Sequence, residues 1–207
     1  MKHLLAICIS VALLSVGIMG CSEKKVEEQV SSDAFITIQG PDLIKPDGSK
    51  LFIMGTNLGN WLNPEGYMFK FNKANSGRFI NEMFCQLVGP DFTAEFWKAF
   101  KDNYVTREDI RFIKSTGANT IRLPFHYKLF TDEDYMGLTA NQDGFARVDS
   151  LVNWCRESDL YLILDMHDAP GGQTGDNIDD SYGYPWLFDS ETSQQLYCDI
   201  WRKIADY

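Results

Sequence analysis

The segment at residues 160–181 constrains the fold more than any other part of the sequence. It opens with five consecutive apolar residues, 160–164, a pattern typical of a strand buried on both faces of a parallel sheet. Asp165, His167 and Asp168 follow directly, and a glycine-rich polar loop then ends the regular structure. Strands that end in a histidine and carboxylates before such a loop are how α/β enzymes build their sites. The sequence therefore predicts an α/β fold with a functional site at this strand end.

Apolar runs and turn signals divide the rest of the chain into alternating strands and helices. Residues 35–39 and 51–54 are strand candidates that can pair as a hairpin around the turn chemistry of residues 46–49. A further strand is predicted at residues 119–125 and ends at a proline. Residues 63–89 are predicted as a long functional loop. Helices are expected at residues 79–85, 93–104, 106–117, 148–155 and 190–204.

Three residues are predicted to mark helix ends. Thr106 is expected to cap the amide of Asp109, and Ser190 is expected to cap the last helix. Gly117 suits the left-handed position that follows a helix.

Repeated strand–helix alternation predicts parallel pairing with right-handed crossovers. A closed (β/α)8 barrel typically has ~250 residues and eight strands. Only three barrel-type strands are predicted in this sequence, ending near Gly55, Pro124 and His167. Two interpretations remain open, a small open sheet or the first part of a barrel. The second explains more, so the expected fold class is the N-terminal portion of a (β/α)8 TIM barrel, incomplete, with about its first three βα units.

Side chains alternate across a strand, and this sets the direction of Arg122. The apolar residues on either side of it must meet the helices, so Arg122 is expected to face the barrel axis. The same reasoning turns Asp165 and His167 toward the axis on the later strand. An arginine and an aspartate on neighbouring buried strands each need a partner. We therefore predict that Arg122 and Asp165 lie close together.

The N-terminus is interpreted as a targeting segment. Lys2 and His3 precede an apolar run at residues 4–19, which is too short for a comfortable membrane span. The run ends at Gly20-Cys21, and residues 18–21 resemble a bacterial lipobox. An ordinary signal peptide or a short anchor is the alternative. The expected organisation is a lipoprotein signal peptide at 1–20, lipidation of Cys21, a tether at 21–34 and one domain at 35–207. This predicts an exported cell-envelope lipoprotein with a lipid anchor in the membrane.

Charge and cysteine content exclude several classes of partner. With 29 acidic and 19 basic residues the net charge is -10, and no Lys/Arg cluster is present, so nucleic acid is not an expected partner. Cys85, Cys155 and Cys198 match no zinc or redox motif. Cys155 and Cys198 are expected to be small buried residues. A disulfide after export is the alternative, and the sequence does not select a pair. The glycines after the third strand miss the dinucleotide pattern and only three histidines are available for a metal, so no cofactor and no metal are predicted.

Three segments together resemble glycoside hydrolase family 5: the Asn-Leu-Gly-Asn-Trp run at 57–61, the run at 119–124 and the run at 164–173. The resemblance extends from about residue 51 to residue 207. It implies that Arg122 supports the nucleophilic glutamate and that His167 binds the sugar in the cleaved subsite. Glu65 resembles a sugar-binding glutamate of the β-1,3-glucanase-like branch of the family. The first motif of that branch usually has a second glycine, and this chain has Asn60 at that position instead.

Further residues are candidates for contact with a sugar. Asn57 and Trp61 belong to the first family motif, and Trp61 is favoured over Trp186 as a surface for stacking on a sugar ring. His126 either lines a subsite or caps the strand after Pro124. Helical spacing favours packing roles for Trp97, Trp154 and Trp201. The acidic loop with Asp176, Asn177, Asp179 and Asp180 misses the calcium pattern and is predicted to be solvated or to contact substrate.

The family resemblance implies retaining hydrolysis by two carboxyl groups about 5–5.5 Å apart. In the family these are glutamates after the fourth and seventh strands, and no Asn-Glu-Pro motif occurs in this sequence. The chain is therefore expected to be a truncated and inactive part of an enzyme that hydrolyses O-glycosyl bonds in β-glucans. The expected partner is a β-glucan polysaccharide or oligosaccharide of the cellulose or β-1,3-glucan type. The alternative is a non-catalytic carbohydrate-binding lipoprotein.

Overall fold

The computed structural model describes residues 35–137 and 142–207. The chain divides into two compact units, one ending at Leu51 and the other beginning at Phe52. The described part of the first unit is a hairpin in which β1 (Thr37–Gln39) pairs antiparallel with β2 (Asp42–Ile44). The prediction that residues 35–39 pair with residues 51–54 is wrong. The partner strand is much closer in sequence, because the chain already reverses at Gly40, whose φ of 59° suits glycine.

The second unit contains a parallel sheet of three strands in the order β3-β4-β5. The strands are β3 (Gly55–Asn57), β4 (Thr120–His126) and β5 (Tyr161–Asp168). Both neighbouring pairs are parallel, with Asn57 opposite Arg122 and Arg122 opposite Ile163. The predicted alternation of strands and helices is confirmed, and in the described part of the chain the sheet stays open rather than closing into a barrel.

The first barrel-type strand begins later than predicted. Residues 51–54 do not form a strand, and the main chain of Met54 is instead bonded to Asn119, whose side-chain Oδ1 accepts from the Met54 amide at 2.9 Å. Strand pairing starts at Gly55. A Cβ there would lie 2.0 Å from the carbonyl oxygen of Thr120, so only glycine allows the two strands to approach this closely.

Strand β4 continues through Pro124 to His126, whereas the sequence predicted an end at the proline. On the β3 side of β4, the carbonyl of Arg122 accepts from Leu58 at 2.9 Å and the amide of His126 donates to Leu62 at 3.2 Å. Pro124 lies between these two residues and faces the same side. Strand β3 has already ended at this level, so no ladder bond is lost through the missing N–H of the proline.

Within the described residues, five α-helices accompany the sheet: α1 (Gly77–Val88), α2 (Pro90–Asn103), α3 (Arg107–Ser115), α4 (Gln142–Glu157) and α5 (Glu191–Asp206). Helix α1 is longer than predicted, so the predicted loop at 63–89 ends at Ser76, whose side chain caps the helix. The prediction of the Thr106 cap is confirmed, because its hydroxyl accepts from the Asp109 amide within a capping box. The Ser190 cap and the left-handed Gly117 are confirmed as well.

The two faces of the sheet differ sharply. Ile121, Leu123 and Phe125 are completely buried in the core, and Phe125 packs edge-on against Trp201 of α5 with ring centroids 5.8 Å apart. The opposite face carries Arg122 and Ile163. The prediction that residues 160–164 are buried on both faces is therefore wrong on this side, where Ile163 is 38% exposed. A half-open face leaves room for a ligand beside polar side chains.

Other expectations have mixed outcomes. Trp97 is buried, while Trp154 and Trp201 pack against the core, which confirms their packing roles. The thiols of Cys85, Cys155 and Cys198 are free. Cys155 is buried as predicted, but the prediction for Cys198 is wrong, because it lies on the solvent side of α5.

No helix within residues 35–137 and 142–207 is long and apolar enough to cross a membrane. The predicted signal peptide, Cys21 and the whole of the tether at residues 21–34 lie outside the described residues.

Candidate functional site

Arg122 and Asp165 form the centre of a polar cluster on the half-open face of the sheet. Arg122 lies opposite Ile163 in the strand register, so Asp165, two residues further along β5, projects from the same face. The guanidinium Nη2 donates to Asp165 Oδ2 over 2.5 Å. The predicted proximity of these two side chains is confirmed. Both side chains remain partly accessible, at 34% and 27%.

His167 joins this pair through one ring nitrogen. Its Nδ1 lies 2.9 Å from Asp165 Oδ2 and 3.2 Å from Arg122 Nη2. A neutral imidazole that donates its Nδ1–H to the nearer carboxylate keeps Nε2 as an acceptor. The side chain is 39% exposed, so this acceptor can receive a hydrogen bond from a ligand hydroxyl.

Glu65 approaches His167 from the loop after β3. Its Oε1 lies 3.8 Å from His167 Nε2, and its Oε2 accepts from the Tyr67 hydroxyl at 3.1 Å. The main chain of Glu65 is held in place because its amide donates to Asn60 Oδ1 at 3.0 Å. Asn60 itself has a φ of 64°. This left-handed conformation favours glycine and is tolerated by asparagine. Asn60 can therefore occupy a position at which the β-1,3-glucanase-like branch usually has glycine.

Asn57 lies in the sheet beside Arg122, on the same face, and is exposed. The structure thus brings four of the six predicted contact residues to one face of the sheet and its adjoining loop: Asn57, Glu65, Arg122 and His167. That they bind a sugar stays a prediction.

Trp61 does not belong to this surface. It is 1% exposed, and its indole Nε1 donates to the carbonyl of Lys101 in α2 at 2.8 Å. The prediction that Trp61 stacks on a sugar ring is wrong for this conformation. Trp186, which the sequence ranked lower, is half-exposed. The glycine and asparagine before Trp61 suggested a surface loop, but the chain turns at Asn60 and places the indole in the core.

His126 is also unavailable to a ligand, because it is completely buried. Its Nδ1 accepts from the Lys128 amide at 3.2 Å, so the neutral ring carries its proton on Nε2, which lies 3.0 Å from Asp180 Oδ2. Burial lowers the pKa of His126, which keeps the ring neutral near pH 7. Of the two interpretations the sequence left open, the structure favours capping of the short turn at residues 127–130, and the assignment of His126 to substrate binding is wrong.

The acidic loop after β5 is ordered by hydrogen bonds rather than solvated. Asp179 Oδ2 accepts from the amides of Gln173 and Thr174 at 2.8 and 2.7 Å, and Gln173 donates to the carbonyl of His167 at 2.6 Å. The solvated interpretation is wrong for Asp179 and Asp180, which are both buried. Burial alone would raise the pKa of Asp179, but these hydrogen bonds hold it below its usual range.

Asp168, part of the predicted strand-end site, is buried and paired with Asn63, a buried residue that the sequence did not single out. Asn63 Nδ2 donates to Asp168 Oδ1 at 3.1 Å, while Asp168 Oδ2 lies 3.7 Å from His126 Nε2. Burial and the nearby Asp180 charge raise the pKa of Asp168 well above its usual range. The Asn63–Asp168 hydrogen bond ties the β3 loop to the end of β5. No group of His, Cys, Asp and Glu in the described ranges has the geometry of a metal site.

Comparisons with known proteins agree with the resemblance of the three motifs. The cellulase family model (glycosyl hydrolase family 5) matches residues 81–207, a range that contains Arg122 and His167. A β-xylosidase of Phanerodontia chrysosporium is 29% identical over 175 residues, covering 84% of this chain and 36% of that protein. Endoglucanase C of Acetivibrio thermocellus is 34% identical over 110 residues, covering 53% and 30%. A glucan 1,3-beta-glucosidase of Kluyveromyces lactis is 30% identical over 135 residues, covering 59% and 30%.

The chain spans about a third of the length of these relatives, at 36% and 30% for the first two. Among solved structures, the rutinosidase from Aspergillus niger has a TM-score of 0.59 at 21% identity and covers 73% of this chain and 43% of that one. This likeness concerns the fold. It implies a TIM-barrel glycosidase fold, of which the described residues form a parallel α/β portion. Because the family match covers more than half of the 207 residues, the chain belongs to glycoside hydrolase family 5.

Proposed function

We propose that this chain supplies the sugar-binding face of a family 5 glycosidase that acts on β-glucans by a retaining mechanism. The observation that carries the proposal is the run of contacts from Arg122 through Asp165 and His167 to Glu65 on the half-open sheet face. Relatives named endoglucanase and glucan 1,3-beta-glucosidase support a β-glucan as the substrate of the whole protein.

The chemistry of the cluster suits a neutral ligand rich in hydroxyl groups. A sugar hydroxyl both donates and accepts, so it binds best where donors and acceptors converge. Arg122 provides N–H donors, and His167 Nε2 and the Glu65 carboxylate provide acceptors. The Arg122 charge is balanced by Asp165 at 2.5 Å, which disfavours an anionic ligand at this position.

Retaining hydrolysis needs two carboxyl groups about 5–5.5 Å apart, one as acid/base and one as nucleophile. We propose that these groups are not among the 207 residues, because the sequence has no Asn-Glu-Pro motif and Asp165 is already bonded to Arg122 and His167. The chain is then expected to bind β-glucan oligosaccharides without cleaving them. A non-catalytic carbohydrate-binding protein is the second candidate, supported by the same cluster.

Isothermal titration calorimetry with β-1,3- and β-1,4-linked glucotetraose tests the binding. Replacing Arg122 with alanine is expected to weaken binding about tenfold or more, because a hydrogen bond to a charged group contributes about 1.5–3 kcal/mol. The matched control is Arg202→Ala, which removes an exposed arginine of α5 that pairs with Asp199. Equal affinity of the wild type, Arg122→Ala and Arg202→Ala would contradict the site.

A reducing-sugar assay on the same samples tests the absence of hydrolysis. We expect no release above the rate without protein. Release that disappears in Asp165→Asn or Glu65→Gln would show that the reacting carboxylates lie within these residues, and the proposal of binding alone would be abandoned.

We further propose that the protein is an exported lipoprotein of the cell envelope, anchored in the membrane through Cys21. The support is the sequence, in which a small residue and the cysteine directly follow the apolar run at residues 4–19. Expression in a bacterium supplied with labelled palmitate is expected to label the wild type and not Cys21→Ser. Equal labelling of both, or label in neither, would contradict the anchor, and Cys198→Ser serves as the matched control.

A further inference from the structure

The segment at residues 182–188 carries an aromatic side chain at every second position: Tyr182, Tyr184, Trp186 and Phe188. All four are exposed, at 71%, 44%, 48% and 64% in that order. Two of the three residues between them face the protein, since Leu187 packs against the core and Pro185 lies against Gly175, while Gly183 is exposed. Large aromatic groups normally avoid such exposure, so four in one short segment indicate a binding surface. We call residues 182–188 the aromatic ribbon.

The backbone of the aromatic ribbon is fixed at its centre. The amides of Trp186 and Leu187 donate to the carbonyls of Gly171 and Gly172 at 3.2 and 3.1 Å. Gly171 adopts a φ of 81°, and a Cβ there would approach Trp186 Cβ to 3.0 Å, so this close contact depends on glycine. A ribbon held in this way presents its rings without a large ordering cost on binding.

The rings are oriented by polar contacts. Tyr184 and Trp186 lie with centroids 4.8 Å apart at 55°, and the Tyr184 hydroxyl bonds to Asp189. The guanidinium of Arg78 sits 4.4 Å above the Tyr182 ring. Flat ring faces edged by hydroxyl, carboxylate and guanidinium groups match a sugar, which has an apolar ring face and a polar rim.

The aromatic ribbon is bonded to the loop that follows the sheet-end cluster. Gly171 and Gly172, which hold it, follow closely after β5 ends at Asp168. The next residue, Gln173, donates to the carbonyl of His167. The ribbon and His167 are therefore attached to the same loop. Charge also restricts the ligand: the chain carries a net charge of -10, which disfavours polyanions.

We propose that the aromatic ribbon is an additional sugar-binding surface that holds distal units of a β-linked oligosaccharide whose first units lie at Arg122 and His167. This inference rests on the proposed function. Because stacking on a ring face adds affinity only for units that reach it, the ribbon is expected to contribute to binding of long oligosaccharides and not of short ones.

Calorimetric titration of the purified chain with a β-linked glucose disaccharide and hexasaccharide tests the ribbon. Trp186→Ala is expected to weaken hexasaccharide binding about tenfold and to leave disaccharide binding unchanged, since one ring stack is worth about one factor of ten. The matched control is Phe92→Ala, which removes an exposed aromatic residue from α2. Circular dichroism verifies that both variants fold.

The possible outcomes separate the two proposals. If the wild-type protein binds neither sugar, the proposed function is overturned, and the proposal that the aromatic ribbon binds sugar is overturned as well. Equal hexasaccharide affinity of wild type and Trp186→Ala overturns the ribbon alone, and so does an equal loss for both sugars. Binding of neutral phosphatidylcholine vesicles that Trp186→Ala abolishes, with hexasaccharide binding unchanged, overturns it in favour of a membrane contact.

Discussion

Replacing Trp61 with alanine is expected to lower the free energy of unfolding by about 3–5 kcal/mol, the usual cost of removing a buried tryptophan. The side chain is 1% exposed and belongs to the hydrophobic core. The substitution also removes the donor that bonds to the carbonyl of Lys101 at 2.8 Å. A loss of this size is a large part of the stability of a typical domain, so much of the variant should be unfolded.

Urea denaturation followed by circular dichroism measures this loss, with Trp186→Ala as the control. The control makes the same change at a half-exposed position, and we expect a shift within about 0.5 kcal/mol. Trp61→Phe keeps an aromatic ring in the core and is expected to cost about 1–2 kcal/mol. A Trp61→Ala protein that unfolds at the wild-type urea concentration, but binds sugar poorly, would show that Trp61 is a surface residue after all.

Trp61 shows where a sequence pattern is misleading. Glycine and asparagine before an aromatic residue are typical of a surface loop, and such loops often carry binding residues. Here Asn60 takes a left-handed conformation, with a φ of 64°, and the chain turns inward immediately afterwards. Whether a loop tryptophan points outward depends on the helix that packs over it. That helix, α2, is distant in sequence, so no local signal carries the information.

The features that the sequence predicted correctly depend on local geometry. Alternation along β4 places Ile121 and Leu123 toward the helices, so Arg122 must face the other way. The same period on β5 brings Asp165 and His167 to that face, and parallel pairing of consecutive strands makes them neighbours of Arg122. Helix caps such as Thr106 are equally local, because the capped amide is only three residues away.

The features that the sequence missed depend on contacts between distant segments. Asp180 bonds to His126 across 54 residues and to the amide of Arg78 across 102. An aspartate in an acidic loop with glycines looks solvated unless these partners are known. Strand lengths were missed for a related reason. The extent of β4 past Pro124 is set by its pairing with β5, where Phe125 lies opposite Met166 and His126 opposite Asp168, and the sequence of β4 does not contain this information.

Asp180 and Asp168 are expected to give the stability of this chain opposite pH dependences. Burial would raise the pKa of Asp180, but hydrogen bonds from His126 and Ser76 hold it at about 2, below its ordinary 3.8. A lowered folded-state pKa adds stability that is complete above about pH 4 and is lost as the pH falls toward 2. For Asp168 the raised pKa has the opposite sign. Its favourable contribution is complete below about pH 4 and is lost as the pH rises through the folded-state value.

Asp180→Asn is therefore expected to lose about 2 kcal/mol of stability at pH 7, which corresponds to the shift from 3.8 to about 2, and almost nothing at pH 2. Asp168→Asn is expected to gain stability at pH 8 and to match the wild type at pH 3.

Urea denaturation between pH 2 and pH 8 measures both profiles. His126 Nε2 lies 3.0 Å from Asp180 Oδ2, and the Asp180 charge raises the pKa of the ring against the effect of burial. The difference between Asp180→Asn and wild type therefore includes a further lowering of the His126 pKa. If Asp180→Asn followed the wild-type profile at every pH, the bond from His126 would not hold the loop. Another contact would then have to fix the loop whose Gln173 side chain donates to the His167 carbonyl.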